Sequence, residues 1–149
     1  MGRINLACAV LLAVSATVTA DDSGEFSAMS LCQTAYVEVG DTTAGQSRCD
    51  VEIVDPADGP FEDGLRGTAH GLAWIGDGDI VALSELILPN GKLYVLSRRS
   101  GTSGIHGMVG ADGAYRGLEA TCDYSAAASD TSEGSIEIHS RCRFERPDP

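Results

Sequence analysis

The chain has 149 residues, 43% of them hydrophobic and only 5% aromatic, and its ten basic residues face 22 acidic ones for a net charge of −12. A surface this acidic repels phosphate backbones and anionic lipid headgroups, which argues against nucleic acid and membrane surfaces as partners and leaves cationic proteins, metal ions and neutral small molecules. The length suits one domain around one core.

Taken in order, the first twenty residues read as a secretory signal peptide. Arg3 precedes the apolar run from Leu6 to Val14, and Val18-Thr19-Ala20 offers a cleavage site before Asp21. That run falls short of the ~20 apolar residues of a transmembrane helix, and nothing later approaches that length. The sequence therefore predicts residues 1–20 as signal peptide and 21–149 as one exported β-barrel domain, periplasmic or extracellular, with no transmembrane segment. Loss of Arg3 leaves nine basic residues against 22 acidic ones, a net of −13. Cys8 lies inside the apolar run rather than after it, and so leaves with the signal. Cys32, Cys49, Cys122 and Cys142 remain; an even count without a C-x-x-C pair favours two disulfides over zinc.

Leu31 to Val39 is rich in β-branched residues and is expected to pair with Cys49, Val51 and Ile53 across Gly40-Asp41. Pro89-Asn90-Gly91 separates Ile80 to Leu88 from Leu93 to Ser97, a hairpin signal resting on the positive φ that Asn and Gly accept. A helix capped by Asp79 is the alternative for the first of these runs. Ser100 to Gly117 is expected to form two strands and a bend. Leu118, Ala120, Cys122 and Tyr124 share one face of a strand. Ile136, Ile138, Ser140, Cys142 and Phe144 share one face of the next, with Ser125 to Gly134 as the turn. Seven or eight strands without a convincing helix imply an all-β fold, a barrel or a sandwich, with a small closed antiparallel barrel preferred.

The segment Gly110-Ala111-Asp112-Gly113-Ala114-Tyr115-Arg116-Gly117-Leu118 resembles the G-G-T-G-K-Y-x-G-I signature of the allene oxide cyclase and dirigent-like barrels, which include exported bacterial members. Upstream, Gly71-Leu72-Ala73-Trp74-Ile75-Gly76-Asp77-Gly78-Asp79-Ile80 is similar to the tryptophan strand and D-x-x-G-D turn that precede it. The likeness spans residues 67–124. Asp112 and Ala114 replace the Thr and Lys of the signature, and Ala120 a later glycine. The resemblance implies a barrel of about eight strands, of allene oxide cyclase or dirigent type or else calycin-like, and an isomerase or cyclase as one activity; no catalytic residue of the plant cyclases can be matched here. Physically, Gly110 and Gly113 permit a sharp turn, Tyr115 covers it, and Gly117 admits a neighbouring strand.

Chemistry-bearing groups are sparse. Asp55, Asp58, Glu62 and Asp63 crowd one loop and would suit calcium, though not at EF-hand spacing, and acidic residues beside prolines and glycines also make ordinary turns. Asp77 and Asp79 form a lesser pair. His70, His106 and His139 have no local ligand spacing and read as surface or turn histidines. Ser84 and Ser103 lack a nucleophile elbow. Glu85 beside Leu83 and Ile87 is the one carboxylate that burial would convert to an acid or base, unless it points outward. Arg98-Arg99 reads as a solvated pair at a strand end. No cofactor and no catalytic residue is predicted. The reading is a non-enzymatic barrel of the cell envelope holding a small apolar molecule, with Tyr36, Trp74, Tyr94 and Tyr115 as candidate lining or as packed core. The alternative is an interaction module that inhibits a cationic secreted hydrolase.

Four cysteines permit three connectivities. A hairpin tip around Ser132 sets Cys122 opposite Cys142, both on apolar faces. Cys32 then pairs with Cys49 across Gly40-Asp41, but alternation through Leu31, Ala35, Val37 and Val39 turns Cys32 outward unless a bulge near Gln33 intervenes. The alternative joins Cys32 to Cys142 and Cys49 to Cys122.

Overall fold

Between residues 23 and 145 the chain alternates buried and exposed positions over long stretches, the signature of strands with one wet and one dry face. In the computed structural model, which describes residues 23–147, these are β1 (Ser23–Val39), β2 (Thr42–Ala57), β3 (Arg66–Gly76), β4 (Asp79–Leu88), β5 (Gly91–Ser100), β6 (Ser103–Ala111), β7 (Glu119–Ala128) and β8 (Ser135–Glu145). Each pairs antiparallel with the next, and β1 pairs with β8 from Ser23↔Glu145 to Gln33↔Ser135, so the sheet closes on itself. Closure removes both free edges of a sheet that would otherwise present unpaired backbone groups. The signal-peptide expectation falls on residues outside those described. Among the described residues no helix is long and apolar enough to cross a membrane.

The run 80–88 is a strand, as preferred over a helix. Its hairpin turns on Pro89-Asn90, with Gly91 already paired to Leu88. The segment from Ser100 to Gly117 differs from expectation: it holds one strand, β6, and a single 3-10 turn over Gly113–Tyr115 rather than two strands and a bend. β6 and β7 pair only from Ser103↔Ser125 to Gly107↔Thr121, then part around a cleft lined by Met108, Val109 and Gly110 on one side and Leu118, Glu119 and Ala120 on the other.

Both disulfides join residues directly opposed in the ladder: Cys32 with Cys49 and Cys122 with Cys142. The barrel closes, yet the alternative connectivity does not arise, because closure sets Cys32 against Ile136 and Cys142 against Phe26. Cys32 points inward and is buried without any bulge near Gln33. The inward positions of β1 are Phe26, Ala28, Ser30, Cys32, Thr34 and Tyr36. Leu31, Ala35, Val37 and Val39 lie on its outer face, where Val37 and Val39 are exposed. β-Branched content reports a strand but not which side of it is dry.

The two ends of the barrel are unlike. At one, Phe26, Phe61, Tyr115 and Phe144 form an aromatic plug, with Phe61 stacked on Phe26 at 3.8 Å and on Tyr115 at 5.1 Å. Ile53, Leu88, Leu93 and Leu118 pack around it. At the other end lie four hairpin turns, β1–β2, β3–β4, β5–β6 and β7–β8.

Candidate functional site

The resembled signature forms the plug. Gly113 has a φ of +59°, in the left-handed region, and a Cβ there would stand 2.3 Å from the Asn90 carbonyl oxygen. Only glycine suits both the backbone conformation and the approach. The same contact is made useful by hydrogen bonds: Ala114 N–H donates to the Asn90 carbonyl at 2.9 Å, Asp112 N–H to the Lys92 carbonyl at 2.9 Å, and Lys92 N–H to Asp112 Oδ1 at 2.7 Å. The turn is thereby stitched to the β4–β5 hairpin, and Tyr115 is driven into the core with no exposure. Burial raises the Tyr115 phenol pKa, with the Glu62 carboxylate adding to the rise. Gly110 does not help make the turn; it lies within β6 opposite Tyr94. Gly117 is required for its positive φ of 77°, since no backbone crowds it.

Above the plug is a chamber of about 190 Å³ that opens at the hairpin end. Its wall is mainly apolar: Val51, Ala69, Ala73, Ile75, Ile80, Ala82, Leu86, Val95, Ile136 and Ile138, together with both disulfides. Ile75 and Ile80 face inward yet remain only partly buried, which marks the open mouth.

One sector of this wall is polar, and β5, β6 and β7 supply it. Ser97 and Arg99 are inward positions of β5, His106 of β6 and Tyr124 of β7. Ser97 Oγ and His106 Nδ1 lie 2.6 Å apart, and the imidazole stacks on the Tyr124 ring at 3.8 Å with 5° between planes. The Tyr124 ring lies over Gly104, where a Cβ would come within 2.6 Å of it. Burial lowers the His106 pKa to about 4, so the ring is neutral at pH 7. Burial raises the Tyr124 phenol while Arg99 opposes that rise. Arg99 Nε is shut away from solvent without a hydrogen-bond partner.

The candidate residues fall in different parts of the barrel. Of the four candidate aromatics, Tyr36 lines the chamber and is half-exposed at its mouth. Trp74 and Tyr94 stand on the outer face and are exposed, because their inward neighbours are Ala73, Ile75, Leu93 and Val95. Tyr115 belongs to the plug. His106 is no surface histidine, whereas His70 is exposed on the outer face and His139 is exposed beside Glu137. Arg98-Arg99 is not a solvated pair: alternation leaves Arg98 outside and sends Arg99 in. Ser84 lines the chamber; Ser103 is exposed at the β5–β6 hairpin. Glu85 points outward and pairs with Lys92 Nζ at 2.8 Å. Asp55, Asp58, Glu62 and Asp63 do not converge, since among the described residues no three potential ligands gather around a point. Asp58 instead accepts the Glu25 N–H at 2.8 Å, tying the β2–β3 loop to β1. Tyr124 was legible as an inward strand position. His106 was not, because Gly104, Gly107 and Gly110 hide the alternation of β6.

No protein-family model matches the sequence, and no curated protein does. Solved structures do match. The pterocarpan synthase dirigent protein PsPTS1 superposes with a TM-score of 0.62 over 87% of this chain and 98% of its own, at 13% identity. The pterocarpan synthase dirigent protein GePTS1 gives 0.60 over 89% and 95%, at 11% identity. The fold is therefore a dirigent-like barrel, as the motif resemblance implied.

Proposed function

We propose that this chain is an exported, non-enzymatic barrel that holds a small apolar molecule in its interior. The observation that carries the reading is the chamber itself, a largely apolar cavity of about 190 Å³ with one open mouth. Such a space is smaller than the ~300–1,000 Å³ of sites for drug-sized ligands, and corresponds to about six waters or to a ligand of roughly ten non-hydrogen atoms. Water in an apolar cavity finds few partners, so its replacement by a hydrocarbon chain is favourable.

Two further observations support the reading. Both disulfides accord with export into an oxidising compartment, where such bonds persist. The chamber lining contains no Asp or Glu, which a cyclase working through a buried carboxylate would need. Its Ser97–His106 pair offers a poor base, since an imidazole with a pKa near 4 has little basicity to lend a hydroxyl.

Octan-1-ol is a neutral probe of fitting size. Saturating octanol should raise the Tm of the oxidised protein, and Ala82→Phe, which fills the chamber from β4, should abolish the rise while leaving the fold intact by circular dichroism. No rise with the native chain, and no molecule released on denaturation, would refute the reading. The exported protein should begin at or near Asp21, and an intact mass that retains residues 1–20 would refute cleavage of the signal.

A further inference from the structure

We propose that the chamber is selective for small carboxylates, with the ligand's apolar body among the aliphatic wall and its carboxylate on Arg99. This deepens the carrier reading and rests on it.

Charge is distributed oddly in this protein. The chain carries 22 acidic residues, yet none is among the residues lining the chamber, whose one fixed charge is the guanidinium of Arg99. Among the described residues no carboxylate lies within ion-pairing distance of Arg99, although Arg66, Arg141, Arg143 and Lys92 all find one. Its Nε is also removed from water without a partner. A partly buried Arg whose Nε lacks an acceptor and whose charge lacks a counter-ion gains from a group that supplies both.

A ligand carboxylate supplies both. Guanidinium presents parallel N–H donors that match the two oxygens of a carboxylate, and a neutral acceptor gains much less from them. The neighbouring groups are compatible with an anion: Tyr124 and Ser97 carry hydroxyls, and His106 is neutral at pH 7. The hairpin tips at the mouth bear Asp41, Asp77, Asp79, Asp130 and Glu133, all exposed. Their repulsion is screened over a Debye length of ~8 Å at physiological salt, so it slows capture more than it weakens a bond made inside. A cationic ammonium ligand would meet Arg99 with no carboxylate of the chamber lining to offset the repulsion.

The test compares octanoate with octan-1-ol by calorimetry at pH 7.5, using the oxidised protein, Arg99→Gln, Arg99→Lys and Tyr124→Phe. Native protein should bind octanoate at least about tenfold more tightly than octanol, the scale of one charge-assisted hydrogen bond. Arg99→Gln should erase that preference, with the fold of the variant checked by circular dichroism. Arg99→Lys should retain part of the preference, and Tyr124→Phe most of it. Octanol binding as tightly as octanoate in native protein overturns selectivity but leaves the carrier intact. A preference that survives in Arg99→Gln overturns the assignment to Arg99. Binding of neither probe overturns the carrier and the carboxylate together.

Discussion

The plugged and open ends of the barrel are built from the same eight strands and do opposite things with them. At the plug, three phenylalanines and Tyr115 stack together in the interior, and the segment from Asp112 to Leu118 is stitched over them by backbone hydrogen bonds to the β4–β5 hairpin. At the open end the inward positions hold mostly Ser, Ala and Ile, with Tyr36, Arg99, His106 and Tyr124 among them, and a chamber remains between the walls. The buried aromatic residues are gathered at the plug, and the chamber lies at the other end. The lesson is that one end of a closed barrel can be spared the work of packing when the other end does it.

The largest expected effect tests that division directly. Tyr115→Ala should lower unfolding free energy in urea by about 3–5 kcal/mol, because it leaves a cavity among Phe61, Ile53 and Leu118 that the stitched turn cannot collapse into. A loss under ~1 kcal/mol would mean the plug is not the stabilising end.

Next come the covalent ties between neighbouring strands, β1 with β2 and β7 with β8. Replacing Cys122 and Cys142 together by Ala should cost about 3 kcal/mol by freeing a loop with a sequence separation of 20, and Cys32 with Cys49, separated by 17, a similar amount. Non-reducing peptide maps should show these two links; a Cys32 peptide joined to Cys142 would contradict the ladder register.

The third effect belongs to the open end alone. His106 has a folded pKa of about 4 against ~6.5 in the unfolded chain, so the unfolded state takes up the proton first. Its contribution is fully present above pH ~6.5 and is lost as pH falls toward 4. The loss should reach about 2 kcal/mol after allowing for water in the chamber. Replacing His106 by Gln should flatten the urea midpoint between pH 7 and 4; an unchanged slope would show that the ring is better solvated than its stacking on Tyr124 implies.

The smallest effect is at the mouth. Tyr36 is half-exposed, and Tyr36→Ala should change stability by less than ~1 kcal/mol, a result that contrasts with Tyr115→Ala on an equal side chain. Equal losses from the two would erase the distinction between the ends.

The local rules were legible in the sequence. Alternation from Leu118 to Tyr124 and from Ile136 to Phe144 named the inward faces of β7 and β8, and hairpin arithmetic placed Cys122 opposite Cys142, because both depend on period and spacing alone. The G-A-D-G-A-Y-R-G-L segment announced the barrel type, since a positive φ at Gly113 is a backbone demand written in residue type. Three things were decided only by closure of the barrel. Cys32 lies inside because β1 must present one face to both β2 and β8, which no count of β-branched residues along β1 reveals. Trp74 and Tyr94 lie outside because small inward residues on β3 and aliphatic ones on β5 already occupy the bore. Arg99 and His106 meet Tyr124 because adjacent strands align in register, bringing together residues up to 25 positions apart whose sequence neighbours carry no trace of the encounter.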